Sequence, residues 1–188
     1  MKKELLEWVV AIAVAVVCVL LIQKFLFQTY TVSGDSMYPT LKNSEKVIVN
    51  KIGYKVGNID NGDVLVFHAN ANDDYVKRVI GKPGDTVKYE NDQLYVNGKK
   101  VPEEYLKPNK INKSRDLLTE NFQTKELPNS NGTNKIPKGE YLVLGDNREV
   151  SKDSRSFGLI KEDKIVGEVA LRFWPINQFH YNFDPASN

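Results

Sequence analysis

Two short segments hold side chains able to do chemistry. The first is Ser33-Gly34-Asp35-Ser36-Met37-Tyr38-Pro39-Thr40-Leu41. Gly34 and Pro39 favour a tight, rigid turn that exposes the Ser36 hydroxyl and leaves backbone N–H groups pointing outward. Taken alone, this is an ordinary polar turn. The second is Tyr75-Val76-Lys77-Arg78-Val79-Ile80-Gly81-Lys82-Pro83-Gly84-Asp85. Strand alternation puts Tyr75, Lys77 and Val79 on one face and Val76, Arg78 and Ile80 on the other, so Lys77 rises from an apolar face. At the reference pKa of about 10.4, a lysine is neutral in roughly one molecule in 2500 at pH 7, a deficit of about 4.6 kcal/mol that makes it nearly useless as a base. Burial lowers a lysine pKa by about 3 to 5 units, which lets an amine replace histidine beside a serine. The competing reading is a strand lysine that snorkels to solvent.

Other chemistries lack their ligands. The chain has no His-Glu-x-x-His, no paired cysteines, no phosphate loop and no Gly-x-Gly-x-x-Gly after a strand, which argues against metal and nucleotide sites. Its single cysteine, Cys18, lies in an apolar run, so neither a disulfide nor a thiolate cluster is expected. A conventional triad would need His68, in Val66-Phe67-His68-Ala69-Asn70, or His180 near the carboxyl end. Neither stands in a recognisable catalytic context, and a lone histidine ending a strand is ordinarily a surface or structural residue.

The elements that carry these residues follow from the hydropathy pattern. From Trp8 to Ile22 no residue is polar, and with Leu5, Leu6 and Phe25 to Phe27 the apolar segment covers residues 5–27. As a helix it would be roughly 34 Å long, against a hydrocarbon core of about 30 Å. A cleaved secretory leader is the alternative. However, the small residues Ala11, Ala13 and Ala15 sit at the front of the run, and its exit, Gln23 to Tyr30, is bulky and offers no cleavage site. An uncleaved transmembrane anchor is therefore expected, contacting the lipid bilayer, with Lys24 snorkelling to the far interface. Lys2 and Lys3 would hold residues 1–4 in the cytoplasm and send residues 28–188 across the membrane. Setting aside Lys2, Lys3, Lys24, Glu4 and Glu7 from 26 basic and 24 acidic residues leaves 23 and 22. Nothing in that balance suggests a nucleic-acid partner.

Beyond residue 28, brief runs of Val, Ile, Tyr and Phe are punctuated by Gly, Asn, Asp and Pro, a mainly β signature. Strands are predicted at Tyr30–Val32, Lys46–Asn50, Val64–His68, Tyr75–Ile80, Thr86–Glu90, Gln93–Val96, Tyr141–Leu144 and Ile165–Phe173. Turns are predicted at Glu90-Asn91-Asp92 and at Asn97-Gly98, a pair suited to a two-residue hairpin. Residues 102–138, rich in Asn, Lys, Pro and Thr, read as a peripheral extension with few apolar residues to bury. Phe173-Trp174 is expected to pack in the core, although tryptophan also favours lipid interfaces.

Together these segments resemble the sequence boxes of type I signal peptidases, particularly the short Gram-positive form with one amino-terminal anchor. Ser36-Met37-x-Pro39-Thr40-Leu41 is similar to the nucleophile box, and Asn61-Gly62-Asp63-Val64 with Val66-Phe67 to the strand box after it. Tyr75-x-Lys77-Arg78-Val79-Ile80-Gly81-x-Pro83-Gly84-Asp85 is similar to the lysine box. Gly145-Asp146-Asn147-Arg148, then Ser151-x-Asp153-Ser154-Arg155 to Gly158, is similar to the last. The likeness runs from the anchor to about Pro175 and is weakest over residues 102–138.

The resemblance implies an antiparallel β catalytic domain of signal peptidase and LexA-like type behind the anchor helix. Ser36 would be the nucleophile and Lys77 its general base, with no cofactor and no metal. Ser151 would orient the lysine amine, Asp153 and Arg155 would form a salt bridge shaping the adjacent loop, and Arg78 would support the base it follows. Substrates would be exported precursor proteins, cut after a small-x-small sequence such as Ala-x-Ala. Val32, Met37 and Val76 are the pocket candidates. One departure stands out: where some members carry a second oxyanion-stabilising hydroxyl two residues before the nucleophile, this chain has Gly34, leaving only the Ser36 N–H identified. Glu149 and Val150 also replace the more usual Asp-Asn of the last box. Three rivals remain: a self-cleaving repressor-type protease, which gives no reason for an anchor; a non-catalytic tethered β module that binds precursors or a partner; and a triad enzyme using His68.

Overall fold

The computed structural model describes residues 2–53 and 58–183 and, within them, every side chain but those of residues 2, 5 and 21–25. The apolar run forms helix α1, Lys2–Leu26. Leu6, Trp8, Val10, Ile12, Val14, Val17 and Leu20 are each more than half exposed, so this helix buries nothing against the rest of the chain on any of those sides. Cys18 on the same helix is an exposed free thiol. Among the described residues no helix is long and apolar enough to cross a membrane. Part of the predicted span, the side chains of Leu5 and of residues 21–25 with the snorkelling Lys24, lies outside the described residues.

Phe27, expected to end the anchor, instead opens strand β1, Phe27–Thr31, because its backbone is taken up opposite Asn50 of β2, Lys46–Asn50. Helix and strand therefore meet with no linker. The Lys51 N–H fastens the joint by donating to the Leu26 carbonyl at 2.8 Å.

The remaining strands are β3 (Val64–His68), β4 (Asp74–Gly81), β5 (Val87–Glu90), β6 (Gln93–Val96), β7 (Lys99–Val101), β8 (Phe122–Gln123), β9 (Glu140–Leu144), β10 (Ile160–Lys161), β11 (Ile165–Trp174) and β12 (His180–Tyr181). Among the described residues they form two antiparallel sheets. The larger runs β1-β2-β11-β3-β4-β9-β10, with β12 also on β11; the smaller runs β7-β6-β5-β8. Strands β2, β3 and β6 begin and end where the sequence pattern predicts them. Asn97 and Gly98 both take positive φ, 53° and 76°, as a two-residue hairpin between right-handed strands requires.

Around β3 the larger sheet is buried on both faces. Val64 and Val66 of β3 join Val32, Met37, Leu41, Val47 and Val169 on one side, while Leu65 and Phe67 join Val79, Tyr141 and Val143 on the other. A third cluster, with Ile80, Tyr89, Leu94, Phe122 and Leu142, binds the small sheet to the large one.

Residues 102–138 depart from expectation. Leu106, Leu118, Phe122, Leu127 and Ile136 are buried, and so are Glu103, Thr119, Thr124 and Ser130. The segment is part of the core, because its few apolar residues are placed to reach the small sheet and its buried polar groups have internal partners. Trp174 also differs: it stands 49% exposed at the end of β11 instead of packing inside.

Candidate active site

The turn carrying Ser36 and the strand carrying Lys77 lie 41 residues apart in sequence, yet Lys77 Nζ lies 2.8 Å from Ser36 Oγ. The amine makes a second hydrogen bond, 2.8 Å, to the carbonyl oxygen of Val76. Its charged form has no carboxylate in contact, its aliphatic stem is buried, and the Tyr75 ring lies under it with the centroid 5.2 Å from Nζ. Burial pulls the Lys77 amine down to about 8, against the opposing pull of Asp153 and then Asp146. A neutral amine at this distance can accept the Ser36 proton.

The Ser36 turn is held from behind by the loop that follows β9. Asn147 N–H donates to the Ser36 carbonyl at 3.0 Å, and Thr40 Oγ1 donates to Asp146 Oδ2 at 2.5 Å. Gly145 is needed for this close approach: a Cβ there would sit 2.4 Å from the Ser36 carbonyl oxygen and 2.1 Å from Ser151 Oγ. Asn109, from the segment expected to be peripheral, donates to the Tyr38 carbonyl at 2.8 Å and to that of Asp146 at 2.9 Å. No pattern in the sequence around Asn109 announces this role.

Three arginines fix the loop. Arg78 is buried and forms a two-pronged pair with Asp146 at 3.0 and 2.9 Å, while also donating to the Gly62 and Phe183 carbonyls. Arg148 reaches into the small sheet, pairing with Glu103 at 2.6 Å and donating to Tyr89 Oη and Thr119 Oγ1. Arg155 grips Asp153 through two bonds of 2.8 Å, and Asp153 in turn accepts from Gly145 N–H at 3.1 Å. The predicted Asp153–Arg155 pair is thus present and acts on the backbone that backs Ser36.

A cleft of about 340 Å³ opens in front of the Ser36–Lys77 pair. Val32 and Val76 line it, as expected, together with Val47 and Val66. Met37 does not: it is 1% exposed and packs into the core beneath the turn, the direction that follows from its place beside an outward-facing Ser36. Ser151 also departs from expectation. Its hydroxyl is buried with no hydrogen-bond partner, and the lysine amine is held by Ser36 and Val76 without it. His68 is engaged elsewhere, with Nδ1 2.6 Å from Asp74 Oδ1, and half exposed. At the same end of the cleft, the Tyr30 hydroxyl donates to Asp74 Oδ2 at 2.9 Å. Burial, this bond and the Asp74 charge push that hydroxyl up to about 12, so it remains a donor throughout the physiological range. Neither Tyr30 nor Asp74 is marked as a site residue by sequence pattern alone.

Comparison with known proteins identifies the family. The family model for signal peptidase, peptidase S26, matches residues 5–174. The chain is 63% identical to signal peptidase IB of Staphylococcus aureus (strain MRSA252) over 188 residues, covering all of this chain and 98% of that one. It is 49% identical to signal peptidase I of Bacillus caldolyticus over 177 residues, 94% of each. The crystal structure of a signal peptidase I from Enterococcus faecalis V583 superposes with a TM-score of 0.55 at 37% identity, over 60% of this chain and 97% of that one. The chain belongs to the signal peptidase family, peptidase S26, the serine endopeptidases known as type I signal peptidases.

Proposed function

We propose that this enzyme removes signal peptides from exported precursor proteins by a Ser36–Lys77 mechanism, cutting after a small-x-small sequence such as Ala-x-Ala. The observation that carries this reading is the 2.8 Å contact between a surface-facing hydroxyl and a buried, easily neutralised amine. Neutral Lys77 takes the Ser36 proton as Oγ attacks the scissile carbonyl. The Ser36 N–H has no intramolecular hydrogen bond among the described residues and is free to stabilise the oxyanion. The protonated amine then gives its proton to the departing nitrogen, leaving an acyl-enzyme. The same amine next deprotonates the water that releases the signal peptide.

The substrate would enter as an extended strand along the cleft, its small side chains facing the Val32 and Val76 walls. The exposed apolar side chains of α1 support a membrane anchor, with Lys2 and Lys3 on the cytoplasmic side and the β domain on the other. The decisive test is cleavage of an Ala-x-Ala signal-peptide substrate by the detergent-solubilised full chain. A single cut after the second Ala, absent in Ser36→Ala, is the expected result. Binding without any cut by the wild type would leave the tethered-module reading in its place.

Ser151 takes a reserved role in this scheme. Its unpartnered hydroxyl stands beside Gly145 and the Ser36 carbonyl. Apo hydrogen bonds at active sites often tighten only when substrate arrives, and here Ser151 would accept from the Lys77 amine at that point. Ser151→Ala should then lower kcat by on the order of 10- to 100-fold. Its melting temperature should be unchanged or higher, because no hydrogen bond of the free enzyme is lost and an unpartnered buried hydroxyl is removed. A kcat equal to that of the wild type would remove Ser151 from the mechanism.

A further inference from the structure

Beyond Trp174 the chain doubles back along β11. Residues Ile176–Gln178 make one 3₁₀ turn, and β12 pairs with β11 so that His180 stands opposite Arg172. Two residues after β12, Phe183 is buried in the cluster that holds Met37 and Leu41, and its ring meets that of His180 edge to face with centroids 5.0 Å apart. This tail lies past Gly158, where the last sequence box ends, yet two arginines tie it to the Ser36 turn. Arg172 Nε donates to the Gln178 carbonyl at 2.7 Å, and its Nη1 donates to the Thr40 carbonyl at 3.0 Å. The Arg78 guanidinium has five N–H donors in a rigid fork, and each has an acceptor. These are both oxygens of Asp146, Thr40 Oγ1, the Gly62 carbonyl and the Phe183 carbonyl, the last at 2.6 Å. Each arginine thus joins one tail carbonyl to one atom of Thr40. Without the Phe183 acceptor a buried donor is left unpaired, and a planar guanidinium regains a partner by tilting as a whole, which disturbs Asp146 and Thr40 with it.

We propose that residues 176–183 form a clamp behind the Ser36 turn, and that Phe183 is a positioning residue for Ser36, acting through Arg78 on Thr40 and Asp146. The proposal rests on the reading of Ser36 as the nucleophile. Asp146 adjoins Asn147, whose N–H holds the Ser36 carbonyl, and Thr40 lies in the turn that the Leu41 N–H closes onto the Met37 carbonyl at 3.0 Å. A tilt of Arg78 therefore reaches Ser36 from both sides. Displacing a reacting group by about 1 Å can cost on the order of 100-fold in rate. No residue of the tail lines the cleft, so KM is expected to hold while kcat falls. Phe183 itself touches none of the reacting atoms.

The test compares Phe183→Ala, Phe183→Leu and His180→Ala in the full, detergent-solubilised chain. For each, kcat and KM are measured on an Ala-x-Ala signal-peptide substrate well below the melting temperature, and amide hydrogen exchange is followed by mass spectrometry. Phe183→Ala should lower kcat by on the order of 10- to 100-fold at a KM within about twofold of the wild type's. It should also hasten exchange at residues 36–41 and 145–148 while the small sheet keeps its protection. Phe183→Leu refills most of the apolar volume and should recover most of kcat. His180→Ala removes an exposed ring packed against Phe183 without opening the core, and should lower kcat severalfold. A kcat equal to the wild type's in Phe183→Ala, or in His180→Ala where Phe183→Ala does not fold, overturns the clamp. Exchange hastened evenly across the domain overturns it too, because that is what a merely structural residue gives. A wild type that cuts no peptide would sink the reading of Ser36, whereas the exchange pattern would still decide for or against the clamp.

Discussion

Lys77→Ala lowers kcat/KM by on the order of 10⁴-fold or more, with little change in the affinity of the uncleaved peptide. In the proposed mechanism the reason is chemical: without the base at 2.8 Å, the Ser36 hydroxyl would keep its proton as it attacks. The same reasoning fixes the pH profile of the wild type. As the proposed base the amine works only when neutral, and burial pulls its pKa down to about 8. Below that value the neutral fraction falls tenfold per pH unit, so kcat/KM should climb with unit slope up to about pH 8 and level off above it. At pH 7 about one tenth of the free enzyme would then be competent. The measurement is kcat/KM from pH 5 to 10 on a substrate that does not titrate. An acid limb centred near 10.5 would show an amine behaving as if exposed, and a flat profile would remove Lys77 as the base.

Asp146→Ala is the most damaging substitution expected away from the Ser36–Lys77 pair. It strands the Arg78 guanidinium, 1% exposed, without its counter-charge. Breaking a buried pair from one side costs about 3 to 5 kcal/mol. That corresponds to a fall in melting temperature of roughly 10 °C or more for a domain of this size. The loss follows from the orphaned charge more than from a missing attraction. Arg78→Met combined with Asp146→Leu should therefore recover much of the stability. Asp146→Asn gives a second reading of the same residue. The Asp146 charge holds the Lys77 amine up, so its removal should move the acid limb of the pH profile to lower pH. Thermal unfolding by circular dichroism and the kcat/KM profile of these variants check both points. A midpoint unchanged in Asp146→Ala would show that the pair does not stabilise the fold.

The parts of this molecule that were legible in the sequence share a physical property. Strands of four residues or more show either period-two alternation, as in β2 and β6, or an unbroken apolar run where both faces are buried, as in β3, and these three were visible for that reason. The two-residue strands β8, β10 and β12 contain too few residues to show any period. Residues 102–138 were misjudged because Glu103, Thr119 and Thr124 look like surface residues until their partners Arg148 and the Val87 backbone are known. Burial of a polar group is a property of the pair, and a linear sequence shows only one partner at a time. Lys77 stood out because a lysine is costly on an apolar face, whereas Ser36 stood out only through the resemblance of its segment to a nucleophile box. Tyr30 and Asp74 are unremarkable in their own segments, and only the coiling of the sheet brings them within 2.9 Å. Met37 was assigned to the cleft by its nearness to Ser36, whereas successive residues of a turn point in different directions.

The direct passage from α1 to β1, sealed by the Lys51–Leu26 hydrogen bond, gives the enzyme a built-in ruler. Strand β1 has five residues and spans about 17 Å. If α1 is embedded as proposed, Ser36 hangs at a set altitude over the lipid and has little freedom to dip toward it. A precursor still threaded through the bilayer must then spool out several residues of unwound chain before its scissile bond reaches that altitude. Inserting or deleting residues within β1 should thus displace the cut along the precursor. The choice of cleavage point would be partly a matter of reach, set by the spacing between the end of a helix and a serine.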